Sequence, residues 1–161
     1  MSSSPRRSRQ ATASVAAPIE MCSVRVGDTL FGLPISHILE IVGSVQPQAV
    51  PLAPGFVGGL VHYRGDVLIT VNLRYLLGLP THDNAQPLLV LEGVRGCFGV
   101  LVDGVGEVLT VSPEDYEPNP STLDECLKKL FTGTYKLKDR LLVILEPSRL
   151  DPLYLVGSQA A

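Results

Sequence analysis

The chain has 161 residues, 45% of them apolar, and this length and composition favour one globular domain over a disordered polypeptide. Three of its thirteen basic side chains lie in the first 18 residues, so ten basic side chains face sixteen acidic ones in the remainder. We therefore expect no nucleic-acid partner, because phosphate binding needs clustered Lys and Arg, and the short apolar runs predict no direct membrane insertion.

The first half of the chain is predicted to consist of short strands separated by turns. Residues 1–18 lack apolar periodicity and are predicted to be a disordered basic tail. Apolar patterning predicts strands at residues 22–26, 30–33, 58–63 and 67–71, with a short apolar stretch at 35–42. Arg64-Gly65-Asp66 separates the last two strands and predicts a hairpin. Asn72 is the expected N-cap of a short helix over residues 73–77.

The second half is predicted to repeat this organisation. The predicted strands are residues 87–91, 97–102, 105–110, 130–137 and 141–145, with a loop at 112–124 and a helical turn at 147–153. Residues 31–35 and 38–42 recur at 98–102 and 105–109, an offset of 67, and Gly59 recurs as Gly133 at an offset of 74. Each copy alone would bury little apolar surface. We therefore predict a duplication whose two copies share a core and leave a groove between them.

No constellation of residues predicts catalysis or metal binding. The three histidines lack metal-ligand spacing, and no nucleotide-binding or nucleophile motif occurs. Glu40 and Glu107 could act as a carboxylate pair, but the repeat puts them on separate halves and favours a structural or surface role. Cys97 stands between Gly96 and Phe98 on a predicted strand, a position more typical of a structural thiol than of a nucleophile. We expect no enzyme activity, no catalytic residue, no metal and no cofactor.

An exposed binding surface remains as the candidate site. Arg64 lies at a predicted hairpin tip, and arginine is a common interface anchor. Gly65 beside it allows a tight turn or the close approach of a partner. The apolar residues Ile38, Ile41, Val100 and Val105 are also candidates, although each could equally belong to the core.

Residues 57–74, Val-Gly-Gly-Leu-Val-His-Tyr-Arg-Gly-Asp-Val-Leu-Ile-Thr-Val-Asn-Leu-Arg, resemble a segment of the CheW-type chemotaxis coupling proteins. That family's pattern here is approximately V-x-G-x-x-N-L-R-G-x-x-x-P-V-x-D-L-R. Residues 31–41, 98–109 and 141–145 resemble its other strand segments, in the same order. The chain departs from the pattern where His62-Tyr63 replaces Asn-Leu, Thr70 replaces Pro, Asn72 replaces Asp and Glu146 stands where Asp or Asn is commoner.

The resemblance implies a mostly β fold, with two five-stranded SH3-like β-barrels that share a core and carry short helical turns. The expected CheW-like domain spans residues 19–155, with a C-terminal tail at 156–161. Its subdomains are expected at about 37–82 and at 21–36 plus 83–155.

The resemblance also implies a cytoplasmic adaptor, recruited to receptor arrays at the inner face of the membrane. Its implied partners are a CheA-type histidine kinase and the cytoplasmic tip of a methyl-accepting chemoreceptor. Arg64 matches the family's functionally important arginine, and Glu40, Ile38 and Gly99 match positions linked to partner binding. These residues, with Gly65, Ile41, Val100 and Val105, form the predicted kinase- and receptor-binding set.

Three alternatives remain open at the level of sequence. The chain could be a CheW-like adaptor of a pilus-motility or surface-sensing pathway, or a regulatory domain detached from a longer kinase. It could also be a small-molecule-binding β-barrel or an enzyme without a recognised motif. A deep closed pocket with convergent polar groups would favour that last alternative, and a shallow apolar groove would favour an adaptor.

Overall fold

The computed structural model describes residues 17–160 and contains two β-sheets. Nearly all of the predicted tail at residues 1–18 lies outside the described residues. The strands are β1 (Ile19–Val26), β2 (Thr29–Pro34), β3 (Ile38–Val45), β4 (Val57–Tyr63), β5 (Asp66–Asn72), β6 (Gln86–Gly93), β7 (Gly96–Leu101), β8 (Gly104–Val111), β9 (Tyr116–Glu117), β10 (Phe131–Lys136) and β11 (Leu141–Leu145). The helices are α1 (Leu73–Leu76), α2 (Glu125–Leu130) and α3 (Pro152–Ala160).

The strands form two sheets of similar size. Sheet A has the order β8-β1-β2-β11-β10-β9, and sheet B has the order β3-β6-β7-β5-β4. Neighbouring strands are antiparallel except for two parallel pairs, β2 with β11 and β5 with β7. Because β9 has only two residues, each sheet has five main strands. The prediction of a mostly β fold in two subdomains is confirmed.

The two sheets repeat one strand order, with strands exchanged between the two copies of the sequence repeat. An offset of 67 residues relates β1, β2 and β3 to β6, β7 and β8, and an offset of 74 relates β4 and β5 to β10 and β11. Under these offsets the order β8-β1-β2-β11-β10 becomes β3-β6-β7-β5-β4. Each sheet therefore combines two strands of one copy with three strands of the other.

This exchange corrects the expected subdomain bounds. We expected residues 83–155 to join 21–36, but β6 and β7 pair with β3 and β5 in sheet B. Ile41 lies opposite Leu89, and Val71 lies opposite Val100. These long-range pairings join strands of the two copies, and Leu89, Val71 and Val100 are fully buried there. A repeat in the sequence shows that two copies exist, but only burial in three dimensions decides which strands pair.

Three apolar clusters hold the sheets together. The largest lies between the sheets and contains fully buried side chains of both, among them Val24, Leu33, Val71, Leu89 and Val100. A second cluster, the sheet A cluster, consists of Met21, Val111, Tyr135, Leu142 and Ile144. A third, the sheet B cluster, consists of Leu68, Leu88, Val90 and Leu101. The predicted shared core is thus the large cluster, and each sheet adds a smaller cluster of its own.

Two helices lie close to their predicted positions. Asn72 caps α1, since its side-chain oxygen accepts a hydrogen bond from the backbone N–H of Tyr75 at 3.4 Å. The predicted turn at 147–153 is a 3-10 turn (Pro147–Leu150) followed by α3. The expected tail at 156–161 is corrected, because α3 continues to Ala160. Leu155 lies in the shared core with 4% of its surface exposed, which holds this helix against the sheets.

A partly buried ion pair joins the two sheets where the chain passes from one to the other. Nη1 of Arg74 in α1 lies 2.5 Å from Oδ2 of Asp103, and the side chains are 18% and 12% exposed. The same carboxylate oxygen accepts a hydrogen bond from the N–H of Gly27 at 2.7 Å. Breaking such a pair leaves a charge poorly solvated, so these contacts fix the sheets relative to each other.

Among residues 17–160, no helix is both long and apolar enough to cross a membrane.

Candidate functional site

A two-residue turn closes the β4–β5 hairpin and carries the most exposed of the predicted site residues. Arg64 has a backbone φ of 50° and Gly65 has a φ of 85°. Two consecutive positive φ values are those of a type I′ turn, which matches the twist of the flanking strands. Glycine adopts this conformation readily, whereas arginine seldom does. The turn therefore places Arg64 at the exposed tip of the hairpin.

The Arg64 side chain bonds to a carboxylate of β3, the strand at the opposite edge of sheet B from β4. Its Nη2 and Nε lie 2.7 Å and 3.0 Å from Oε1 of Glu40. The Tyr63 hydroxyl donates a hydrogen bond to the same oxygen at 2.5 Å and accepts one from Nε of Arg64 at 3.0 Å. We refer to Glu40, Tyr63 and Arg64 as the Arg64 cluster. It remains accessible, since the side chains of Arg64 and Glu40 are 70% and 35% exposed.

The hydrogen bonds of the Arg64 cluster set its protonation state. The Tyr63 hydroxyl and then the Arg64 guanidinium lower the pKa of Glu40 below its ordinary value, because both donate to the charged form. The Glu40 carboxylate raises the pKa of Tyr63, because it accepts the phenolic proton. At neutral pH the cluster therefore holds one anion, one cation and one neutral phenol. Its formal charges cancel.

The cluster is supported from below by sheet B. The Tyr63 ring packs against the sheet B cluster, which includes Leu68 and Val90. Glu40 lies on β3, an edge strand, opposite Val90 of β6. The Arg64 cluster therefore joins the two edge strands of sheet B, β3 and β4, on the face that holds the sheet B cluster.

An apolar groove lies on the other face of β5, because successive strand residues face opposite sides. Val67 and Ile69 are 63% and 43% exposed, whereas their neighbour Leu68 is buried. Together with Phe98 and Leu153 they line an open cavity of about 270 Å³, which we call the β5 groove. The Arg64 cluster and the β5 groove thus lie on opposite faces of one hairpin.

Known proteins resemble this chain over most of its length. Residues 20–151 match the CheW-like domain. The chain belongs to the CheW-like domain family. It is 30% identical over 129 residues to the probable chemotaxis protein CheW of Rhizobium etli, a match that covers 79% of this chain and 83% of that protein. It is 32% identical over 122 residues to the chemotaxis protein CheW of Helicobacter pylori, covering 74% and 73% of the two chains.

The fold also matches a solved CheW structure. The scaffolding protein TtCheW from Thermoanaerobacter tengcongensis superposes with a TM-score of 0.73 at 24% sequence identity. The match covers 83% of this chain and 92% of that one. The predicted fold of a CheW-like domain, with two SH3-like β subdomains, is confirmed.

The structure brings three of the predicted CheW-like site residues together. Arg64 and Glu40 are in direct contact, and Gly65 completes the turn beside them. A β-carbon at Gly65 would meet no atom within 4 Å, so the space around this residue is open to a partner. Whether these residues bind a kinase or a receptor stays a prediction.

The predicted apolar site residues differ in their exposure. Ile41 on β3 is 45% exposed, so it is accessible to a partner. Ile38, at the start of the same strand, is half-buried and packs against the shared core. Val105 on β8 is also half-buried against the shared core and pairs with Val24. Val105 therefore lies on sheet A, apart from the Arg64 cluster.

Two of the predicted residues are corrected as direct contacts. Val100 is 0% exposed in the shared core. Gly99 is buried, and a β-carbon there would collide with the side chain of Leu88. Both lie on β7, which has strands on each side of it and no free edge. They shape the packing of sheet B and present no surface to a partner.

Tyr63 is the site residue that sequence reasoning missed. Its position was noted only as a departure from the family's Asn-Leu pair. The available signal was a tyrosine directly before the hairpin tip, where its hydroxyl could bond to a charged neighbour. Nothing in the local pattern revealed that β3, over twenty residues away in the sequence, would bring Glu40 within reach of it.

Among residues 17–160, no group of three His, Cys, Asp or Glu side chains could hold a metal ion.

Proposed function

We propose that this chain is a non-enzymatic adaptor that couples the cytoplasmic tip of a methyl-accepting chemoreceptor to a CheA-type histidine kinase. Its place would be the cytoplasm, at receptor arrays on the inner face of the membrane. Family membership supports the proposal, and so do the names of its CheW relatives, which are chemotaxis and scaffolding proteins.

One structural observation carries the proposal. An adaptor needs two surfaces that can be occupied at the same time, and the β4–β5 hairpin offers the Arg64 cluster on one face and the β5 groove on the other. The first surface is polar and the second is apolar. Partners that bind them would meet different chemistry and would not compete for the same side chains.

The rigidity of the body supports the same conclusion. The shared core and the Arg74–Asp103 ion pair hold the two sheets in one arrangement. A rigid scaffold keeps a fixed distance and angle between two bound partners without losing conformational entropy on assembly. The open shape of the β5 groove, which is not a closed pocket, is what a protein partner requires.

The experiment tests assembly of three components. The full chain is mixed with a receptor cytoplasmic-tip fragment and a kinase regulatory domain, and complexes are resolved by analytical ultracentrifugation. We expect a complex of all three components. The two fragments mixed without this chain should not associate. Arg64→Ala and Val67→Ser should each remove a different partner and leave binary binding of the other intact.

Matched controls use residues of similar chemistry elsewhere. Lys138→Ala removes a cation from the tip of the β10–β11 hairpin, and Val108→Ser removes a side chain on β8 of sheet A that is 46% exposed. Both controls should leave the ternary complex unchanged. If the two fragments displace each other from the wild-type chain, the bridging function is wrong.

A further inference from the structure

The Tyr63 hydroxyl contacts both charged members of the Arg64 cluster. It donates to Oε1 of Glu40 at 2.5 Å and accepts from Nε of Arg64 at 3.0 Å. The guanidinium carbon of Arg64 also lies 5.4 Å from the centroid of the Tyr63 ring, within range of a cation–π contact. The phenol therefore restrains the arginine by two different contacts. Its own ring is held by packing against the sheet B cluster.

We propose that Tyr63 is a positioning residue, whose hydroxyl sets the direction in which Arg64 is presented to the protein partner. The inference rests on the proposed function, in which Arg64 is a contact residue. An arginine side chain has many rotamers, and ordering it during binding opposes association. A guanidinium held in place before binding loses less freedom for each hydrogen bond that it then forms.

The internal repeat shows that the fold itself does not require this hydroxyl. Leu137 stands at the position of Tyr63 in the β10–β11 hairpin and packs against the sheet A cluster. A leucine therefore meets the packing requirement at this point of the hairpin. The additional feature of Tyr63 is its hydroxyl, and both contacts of that hydroxyl are with Glu40 and Arg64.

The charge balance of the cluster makes direction important. Oε1 of Glu40 accepts from Tyr63 and twice from Arg64, so the arginine charge is largely balanced before a partner arrives. Long-range attraction of an acidic partner is correspondingly weak. Recognition then depends on where the remaining guanidinium N–H groups point, which is the property that Tyr63 controls.

The first test removes the single oxygen atom. Tyr63→Phe should weaken, by about fivefold, the binding of whichever fragment depends on Arg64, the receptor tip or the kinase regulatory domain. Its affinity for the other fragment should not change. Tyr75→Phe is the matched control, since Tyr75 is 43% exposed on α1 and distant from the cluster in sequence. In an Arg64→Ala background, Tyr63→Phe should cause no further loss.

The second test needs no partner. The carboxyl carbon of Glu40 is followed by ¹³C NMR as the pH is lowered. Tyr63→Phe should raise the pKa of Glu40 towards its ordinary value, because the Tyr63 hydrogen bond is the main cause of its lowering. Arg64 is the other titratable group that faces Glu40, and its neighbour on β6 is the uncharged Val90. Tyr75→Phe, the matched control, should leave the pKa of Glu40 as it is in the wild type.

The outcomes separate the two proposals. An unchanged Glu40 pKa, an unchanged affinity of Tyr63→Phe, or a further loss in the Arg64→Ala background would each overturn the positioning role. A wild-type chain that binds neither fragment would overturn the proposed function instead. In that case the Glu40 titration still decides whether Tyr63 orders the cluster.

Discussion

The tips of the β4–β5 and β10–β11 hairpins are equivalent in the repeat, but their charged side chains have different partners. The second tip holds a contact of 4.0 Å between Arg140 and Asp139, which are neighbours in the sequence. At the first tip, Arg64 and Tyr63 both bond to Glu40 of β3. At the second tip, Lys138 and Leu137 take the places of Arg64 and Tyr63, and Glu107 of β8 takes the place of Glu40. Among the described residues no ion pair joins Lys138 to Glu107, and both are exposed.

The difference shows that duplication of a backbone does not duplicate a site. The five main strands of each sheet have the same order. The hairpin lies at one end of that order, and the strand that carries Glu40 or Glu107 lies at the other end. The first tip has a phenol that bonds to both Glu40 and Arg64, and a turn in which Arg64 has a positive φ. The second has Lys138, which has no positive φ, and a leucine that cannot donate a hydrogen bond. The two tips therefore differ in the backbone of the turn and in their side chains, while the strand order around them is the same.

The largest expected effect comes from separating the two copies of the repeat. A fragment of residues 84–161 should be unfolded, because β6 and β7 lose their partners β3 and β5, and β8 and β11 lose β1 and β2. Small barrels of this size are also marginal alone. Sharp, dispersed amide signals from the fragment by NMR would contradict this, with residues 17–161 as the folded control.

The second prediction compares the two tips directly. Arg64→Ala should weaken binding of one partner by about thirtyfold, as truncation of an interface anchor does. Arg64→Glu should weaken it further, because it places a like charge against an acidic group of the partner. Lys138→Ala should change affinity by less than about twofold. Titration calorimetry with both fragments measures these differences.

Melting curves show whether Arg64 acts through the fold. Its side chain is 70% exposed, so Arg64→Ala should change the melting temperature by less than about 2 °C. A large drop in melting temperature together with lost affinity would make Arg64 a structural residue. Equal losses from Arg64→Ala and Lys138→Ala would remove the distinction between the tips.

The third prediction concerns pH and only the first tip. Because the pKa of Glu40 is lowered, the stabilisation from its bonds to Tyr63 and Arg64 is complete above the ordinary value of 4.5. This stabilisation is lost as the pH falls through the lowered pKa. The raised pKa of Tyr63 means that its hydrogen bond holds below 10.0 and is lost as pH rises through the raised pKa. Affinity measured between these limits should therefore be flat wherever the partner itself does not titrate. A transition near neutral pH that Arg64→Ala removes would be inconsistent with this assignment.

The smallest expected effect is at Glu107. Glu107→Gln should leave affinity for both partners within about twofold of wild type, because its side chain is exposed and has no ion pair among the described residues. Glu40→Gln, the equivalent change, should weaken the partner that depends on Arg64. Similar losses from both substitutions would indicate that a partner reads the two strands alike.

Much of the fold could be predicted because it depends on local patterns. Apolar alternation located the strands around Cys22 and Leu142, and the Arg64-Gly65 pair located the hairpin turn. Asn72 was recognisable as an N-cap because its side chain serves a backbone group only three residues away. The repeat predicted two copies around a shared core, since offsets of 67 and 74 are visible in the letters alone.

Burial at single positions could not be predicted from the same patterns. Val100 and Ile41 are both β-branched strand residues, yet one is fully buried and the other is 45% exposed. β7 has strands on both sides, whereas β3 is an edge strand. A strand's place in the sheet order depends on contacts far along the chain, so the site prediction combined surface and core residues.

The sequence by itself determined the elements of this protein, its duplication and its resemblance to the CheW family, because each depends on the order and spacing of residues. Tertiary structure alone decided the exchange of β1–β2 with β6–β7 and the meeting of Glu40 with Tyr63 and Arg64. Strand pairing between copies is selected by burying apolar faces of both sheets at once, a property of the whole chain. Glu40 on β3 contacts Tyr63 and Arg64 only once these strands have paired.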